Sequence, residues 1–485
     1  MDILLYENTC PDTSVILRDI DINTHIDIDP TNNTKSHILA HDKLMHTDTL
    51  NHIINNKYAD HDASAIIIIN HTLDKNADST TTFADRCNSF QIITAYANGY
   101  KPLYNNIISD IRTDKFMDAL LNGMHVTELN HMWYHDNFND IINKYMKLHP
   151  TTMSSLLGNL RTLKTYKCAN AISSMCKSIT ELETYDGTTT CKPFKKTLKI
   201  LHANSYIIRE CKMSDNGLRT CKNIEVLHAM ANNRISTCDP FSKTLRELCV
   251  STHDDCICSI DNRGIRLCKN IERLYAWDND RITTCEPFAK SLKVLSAGES
   301  CCISDDGLRH CFGIEYLDAS RNENITTCEP FARTLRKLEV RGSCGITNDA
   351  LRVCTQIEML NVDYNDKITT CDPFARSLIV LSARCDETER CGITDDGLRL
   401  CKNIRYLFAD DNDKITSCKP FAANLRMLSA RGSCGIRDEE RKLCPNITNM
   451  YTYGNPKIVA CSNMTHERMF EVRMQFFWLC RYECC

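Results

Sequence analysis

Thirty cysteines among 485 residues are the side chains of this sequence best suited to do chemistry, as disulfides, metal ligands or nucleophiles. Structural zinc asks for four ligands, commonly from two paired knuckles. Cys256-Ile257-Cys258, Cys301-Cys302 and the terminal Cys480, Cys484 and Cys485 have no second C-x2-C or H-x3–5-H beside them. No metal site is therefore expected. His131 and His135 are spaced to share one helix face, yet no acidic third ligand stands at a supporting offset, so a surface or linker role is expected. The sequence carries no G-x-x-x-x-G-K-[ST], no G-x-S-x-G, no H-E-x-x-H and no G-x-G-x-x-G after a strand. Neither an enzyme nor a bound cofactor finds support.

The spacing of the cysteines is more informative. Only Cys10 and Cys87 precede residue 160, and a leading cysteine then recurs at Cys176, Cys221, Cys268, Cys311, Cys354, Cys401 and Cys444, in steps of 43 to 47 residues. Repetition that regular means a solenoid or an array. Each step splits into two coils, because Ile404, Leu407, Ala409, Asn412 and Ile415 return 21 or 22 residues later as Leu425, Leu428, Ala430, Cys434 and Ile436. In each Leu-x-Ala the period of two places alternate side chains on opposite faces of a short strand, the apolar ones inward. Asn412 and its equivalents Asn232, Asn279, Asn322 and Asn365 follow the strands, where an amide can bond backbone groups left unpaired by a bend. Gly435 is expected to supply a positive φ in the sharper Cys434-Gly435-Ile436 turn. Thr284-Cys285-Glu286-Pro287-Phe288 combines a hydroxyl cap, an early acid and a proline whose missing N–H is harmless, so a helical turn starts there. Its recurring phenylalanine predicts an aromatic ladder on the convex side. Thr394-Asp395-Asp396-Gly397-Leu398 predicts a short helical or 3₁₀ turn in the alternate coils.

Stacked strands lie ~4.8 Å apart, which puts cysteines of one ladder, two coils apart, roughly 9.6 Å from each other and beyond the ~7 Å Cα limit for a bridge. Reduced thiols packed in a core, and a reducing cytoplasm, are expected.

At this point the pattern resembles a known family. I/L-x-x-L-x-A-x-x-N-x-x-I-T looks like a leucine-rich repeat, and C-G-I-T-D-D-G-L-R (391–399) resembles the cysteine-containing subtype found in F-box adaptor proteins. The resemblance runs from about residue 160 to the C-terminus. It implies an α/β solenoid of about 14 coils over 161–468, with its strands on the concave face. The side chains beside the inward Leu and Ala then point outward: Arg273, Tyr275 and Trp277, then Tyr316 and Asp318, then Tyr406 and Phe408, then Tyr451 and Tyr453. Second coils offer the small Ser296, Ser382 and Ser429 between them. Tyr, Trp and Arg dominate binding energy at protein interfaces, so this aromatic stripe is the expected partner-binding surface. Stacking of the aromatics along the ladder for stability alone is the competing reading.

Residues 1–135 change character to Asp, Asn, Ile, Thr and His. Alternation over Val15–Ile22 and Ile26–Ile28 predicts paired strands, Lys35 opens a helical segment to about Ile54, Ala65–Ile69 predicts a strand, and helices follow at Phe90–Asn98 and Asp114–Asn122. Phe90-Gln91-Ile92-Ile93-Thr94-Ala95-Tyr96-Ala97-Asn98-Gly99 and the stretch Met117 to Met124 (MDALLNGM) make this α+β segment similar to a BTB/POZ domain. Lys35-Ser36 and Leu50 depart from that family's pattern. Helices over 136–160 should link and cap the solenoid, and the apolar Met469–Leu479 places a C-terminal cap in 469–485.

Formal net charge is −4, so no basic field invites nucleic acid or an acidic membrane. The start lacks a cationic signal region, and the longest aliphatic cluster is Ile66 to Ile69, too short to span a bilayer. Composition and architecture resemble BTB/repeat proteins of large DNA viruses of protists. That resemblance implies a homo-oligomer formed through residues 1–135, docking of a cullin scaffold, and repeats that collect a client for ubiquitination in the host cytoplasm. The alternative is an oligomeric structural protein of the virion that uses the solenoid as a packing surface.

Overall fold

The computed structural model describes six strands before residue 131, and residues 161–165, 176–184, 188–205, 211–252 and 256–458. It forms two compact units, Met1–Ile224 and Glu225–Cys485. The first contains β1 (Ile3–Tyr6), β2 (Val15–Ile16), β3 (His37–His41), β4 (Ile66–Leu73), β5 (Cys87–Ala95), β6 (Val126–Asn130), β7 (Thr162–Thr165), β8 (Glu181–Thr184) and β9 (Ile200–His202). The pairs β1–β2 and β4–β5 are antiparallel. All the others, from β1–β3 through β8–β9, are parallel.

Two sequence expectations change here. His37–His41 is a strand and not the start of a helix, because Ile38 and Leu39 pair with Ile67 and Ile68 of β4 while the other edge pairs with β1. Both edges of this short segment are thus taken by strands from elsewhere in the sequence, which a local reading does not see. Phe90–Ala95 likewise belongs to a strand where a helix was expected, with Ile92 and Ile93 opposite Ile69 and Ile68; β-branched side chains fit a pleated surface better than a helical turn. The strand expected at Ala65–Ile69 is present as β4, and Val15–Ile16 pairs with β1. The rest of the expected N-terminal hairpin, the helices at 42–54 and 114–122, the linker 136–160 and the cap 469–485 lie outside the described residues.

The second unit is a parallel ladder of eleven three-residue strands: β10 (Val226–His228), β11 (Glu247–Cys249), β12 (Arg273–Tyr275), β13 (Val294–Ser296), β14 (Tyr316–Asp318), β15 (Lys337–Glu339), β16 (Met359–Asn361), β17 (Val380–Ser382), β18 (Tyr406–Phe408), β19 (Met427–Ser429) and β20 (Asn449–Tyr451). Their central residues stack in register from Leu227 through Leu428 to Met450, and every leucine in the column is fully buried. Burying such a column stabilises by ~1.5–3 kcal/mol per leucine, and each coil can do so only against its neighbours. This one-strand coil, repeated with its Leu and Asn, is a leucine-rich repeat architecture.

The return sides alternate as the sequence expects. Single 3₁₀ turns at Asp239–Phe241, Glu286–Phe288, Glu329–Phe331, Asp372–Phe374 and Lys419–Phe421 alternate with single helical turns such as Asp305–Leu308 and Asp395–Leu398. Thr237, Thr284, Thr327 and Thr370 each accept the N–H of the acid two residues on, at 3.1 Å, so the hydroxyl acts from one residue before the N-cap, which is a cysteine without a side-chain cap of its own. The phenylalanines are buried beneath these turns and form an internal spine.

Each ladder asparagine ties two coils together. Asn365 donates Nδ2–H to Val340 O at 2.7 Å and accepts the N–H of Lys367 and Ile368 at 2.9 and 3.1 Å. Asn279, Asn322 and Asn412 donate in the same way to Val250, Ala297 and Ala383. The preceding residues, Ala231, Asp278, Arg321, Tyr364 and Asp411, hold φ of 53–64° to aim that amide. In the sharper turn the positive φ falls on Gly432, not on Gly435. Gly435 is small for another reason: a Cβ there would lie 2.6 Å from the carbonyl oxygens of Asp413 and Ile415.

The described cysteines are free thiols. Their contacts, however, run between ladders in adjacent coils and not within one ladder. Cys285 meets Cys311, Cys328 meets Cys354, Cys371 meets Cys401 and Cys418 meets Cys444, each pair in side-chain hydrogen-bond contact. That hydrogen bond, then burial, pushes Cys285 well above the usual thiol range, while the same bond holds Cys311 below it.

Candidate protein-interaction face

The residues on either side of each central leucine, and the one two places further on, form three outward columns in the second unit. Arg273, Tyr275 and Trp277 share one row; Tyr316, Asp318 and Ser320 share another; Tyr406, Phe408 and Asp410 a third; Asn449, Tyr451 and Tyr453 the last. The expected stripe is therefore real as a geometric register. Its exposure differs from expectation. Tyr275, Tyr316, Asp318, Phe408 and Tyr451 are buried, Arg273, Trp277 and Tyr406 are half-buried, and Tyr453 is 86% exposed. At ~4.8 Å between strands, large side chains in neighbouring rows cover one another.

Three arrangements organise this face. First, Glu247 joins two coils: His228 Nε2 lies 2.9 Å from its Oε1 and Arg273 Nε contacts its Oε2. Burial alone would raise this carboxyl, but the His228 and Arg273 hydrogen bonds prevail and hold it below the ordinary range. Second, Tyr316 donates its hydroxyl to Glu339 Oε1 at 2.8 Å and Asn361 donates Nδ2–H to Oε2 at 3.2 Å, with Arg341 Nε 3.5 Å from Oε2. Burial and the neighbouring Asp318 carboxylate outweigh Arg341 and those hydrogen bonds, and push Glu339 up to about 8. Third, Asp363 and Asp410 clamp the following strand. Asp363 accepts from Ser382 Oγ at 2.6 Å, from the Arg384 N–H at 2.9 Å and from Arg384 Nε at 2.9 Å. Asp410 repeats this with Ser429 and Arg431.

Trp277 is placed by a gap in the column. A Cβ on Gly298 would stand 2.3 Å from Trp277 Cζ3, so the indole lies directly over that glycine. Further along, the Arg341 guanidinium sits 5.8 Å from the indole centre, a cation–π contact. Beyond β15 the first two columns contribute an apolar cluster: Met359, Val380 and Met427 from the first and Phe408 and Tyr451 from the second are buried together, with Ile379 and Tyr406 packed against them. The sequence reading missed Glu247, Glu339, Asp363, Arg384, Asp410 and Arg431. The alternation of Asp and Arg two places beyond each strand, Asp363, Arg384, Asp410, Arg431, was the available signal.

Rows of tyrosine, tryptophan and arginine held by cross-coil hydrogen bonds give a preorganised surface, which lowers the entropic cost of binding a protein. Among the described residues, no group of three or more His, Cys, Asp or Glu is arranged to hold a metal.

No family model and no curated protein matches the chain. Similar solved structures include the Rad7–Elc1 complex of yeast, at 15% identity and a TM-score of 0.35, covering 76% of this chain and 97% of that one. A leucine-rich repeat protein of Leptospira interrogans is similar at 14% identity and a TM-score of 0.37, covering 62% of this chain and 92% of that one. A functional domain of InlJ from Listeria monocytogenes, described as including a cysteine ladder, gives 14% identity and a TM-score of 0.35 over 62% of this chain and 65% of that one.

Proposed function

We propose that this chain is a non-enzymatic protein-interaction scaffold that holds its partner on the outward strand face of the second unit. The observation that carries the reading is Trp277, seated over Gly298, facing Arg341 and sharing its row with the half-exposed Arg273. An aromatic and a cation fixed side by side are what an interface centre requires. The finer reading keeps a BTB/POZ-like domain at 1–135 that makes a homo-oligomer and docks a cullin, a linker at 136–160, a client-binding solenoid at 161–468 and a cap at 469–485, all working in the cytoplasm. The stretch Met117 to Met124 supports it, as do the free buried thiols, which suit a reducing compartment, whereas Phe90–Ala95 lies in β5 and lends it nothing. Affinity purification of the full chain from expressing cells, beside an Arg273→Ala/Trp277→Ala variant, tests the proposal. Cullin and ubiquitin machinery retained by both forms, with a client lost only from the variant, is the expected result. Stoichiometric recovery with capsid or core proteins would replace it with the virion reading.

A further inference from the structure

A second surface of the same unit carries a charge pattern that the strand face does not explain. In each coil, consider the residue two places before the inward Leu or Ile that precedes the strand. For the coils that lead into β11 to β18 these are Lys243, Lys269, Lys290, Phe312, Arg333, Thr355, Arg376 and Lys402, all exposed, and the column ends in the small Ala423. Five of the seven steps are tied directly, the side chain of the residue after one member donating to the backbone carbonyl of the previous coil's member. Asn270 donates to Lys243 O at 2.8 Å, Ser291 to Lys269 O at 3.1 Å, Thr334 to Phe312 O at 3.2 Å, Ser377 to Thr355 O at 3.3 Å and Asn403 to Arg376 O at 2.7 Å. Successive members therefore follow the coil spacing of ~4.8 Å, and Lys243, Lys269 and Lys290 are three like charges in a row.

The adjacent column does the opposite. The residues just before the strands alternate in sign, Glu225, Arg246, Glu272, Lys293, Glu315, Arg336 and Glu358, and pair with one another, as Arg246 does with Glu272 and Arg336 with Glu358. The same coils thus neutralise one column and leave its neighbour cationic; among the described residues Lys243, Lys269, Lys290, Arg333, Arg376 and Lys402 make no ion pair. A second set of exposed cations, Arg266, Arg309, Arg352 and Arg399, stands three residues before the first-coil positions, and of these Arg266, Arg352 and Arg399 do reach acids, Asp239, Asp349 and Asp372. Exposed apolar side chains lie among them: Leu267, Val353 and Leu400, and Phe312 at 63% exposure with its ring edge-on to His310.

We propose that this cationic ladder, from Lys243 to Lys402, is a second docking surface, separate from the strand face, and that its ligand is an acidic protein segment with interspersed apolar residues. Charge complementarity selects a polyanion. Three of the four exposed apolar side chains, Leu267, Val353 and Leu400, are aliphatic and give bases no flat partner to stack on, and the one aromatic, Phe312, has its ring against His310, so the surface favours a polypeptide over a nucleic acid.

The test titrates a labelled synthetic peptide of repeated Glu-Glu-Leu, 21 residues long, into the full chain, beside poly-glutamate and oligo-uridylate of the same length. The Glu-Glu-Leu peptide should bind best, weaken as salt rises, and lose about tenfold in affinity on Lys290→Glu/Arg333→Glu/Arg376→Glu. Leu267→Ser/Phe312→Ser/Leu400→Ser should bring its affinity down to that of poly-glutamate. Trp277→Ala should leave it unchanged, which separates this surface from the strand face. These positions are exposed, so melting temperatures should hold; if the triple reversal fails to fold, single Lys→Gln and Arg→Gln changes at 290, 333 and 376 should each weaken binding in proportion. Preference for oligo-uridylate, undiminished peptide binding by the variants, or no peptide binding at low salt would overturn the proposal.

Discussion

Replacing Glu339 by Gln should make the protein more stable at alkaline pH and flatten its stability between pH 5 and 8. Glu339 is 3% exposed, lies beside Asp318, and has its carboxyl raised from an ordinary 4.5 to about 8. In that window the folded chain holds a proton that the unfolded chain has released, so stability declines as pH rises. One proton is worth ~1.4 kcal/mol per pH unit, which over this window comes to about 5 kcal/mol at most. Below the unfolded value both states are protonated and the effect vanishes. Glu339→Gln keeps the volume and an acceptor for the Tyr316 hydroxyl at 2.8 Å in the parent, but cannot ionise. The assay is thermal unfolding of both proteins from pH 5 to 9. The difference in melting temperature should grow steadily through neutrality in favour of the variant. A difference that stays constant, or that favours the parent at pH 8, would refute the reasoning that burial and Asp318 outweigh Arg341.

Three further expectations concern the ladder. Asn365→Ala removes a donor to Val340 O and an acceptor for the N–H of Lys367 and Ile368, all buried or partly buried, and should cost about 3–5 kcal/mol by urea unfolding; a loss under 1 kcal/mol would mean the backbone finds other partners. Gly298→Ala places a methyl 2.3 Å from Trp277 Cζ3 and should displace the indole, read as a shift of tryptophan fluorescence that is absent in a Trp277→Phe background. Among the described cysteines, alkylation of the native chain should modify the half-exposed Cys256 and Cys302 first, while Cys285, Cys328 and Cys371 should react only on unfolding, as followed by peptide mass spectrometry; early modification of Cys328 would contradict its burial.

The solenoid was legible because its period is written into side chains with one job each. Leu274 and Leu295 must point inward, Asn279 must stitch a bend, and Phe288 must fill the space under a proline-started turn, so type and position are locked together. The strands at 37–41 and 87–95 were misread because pairing partners from distant sequence, Ile66 to Ile69, decide between helix and strand for a short apolar run. At the candidate face, register was readable but exposure was not. Whether Phe408 is open or covered depends on its packing with Val380, Met427 and Tyr451, each in a different coil. Glu339 escaped notice for the same reason: nothing local marks a glutamate on an outward position as one whose neighbours will be Asp318, Tyr316 and Asn361.

Site-specific photo-cross-linking tests the central claim, that the outward strand face of the second unit holds a protein partner. A photoreactive residue is placed in turn at Arg273, Trp277, Lys337 and Tyr453, with Asp366 on an exposed loop as the control, and the full chain is irradiated in expressing cells. The prediction is one discrete protein adduct, of the same identity, from the four face positions and none from Asp366. Adducts absent from the face, or equally abundant at Asp366, would contradict it.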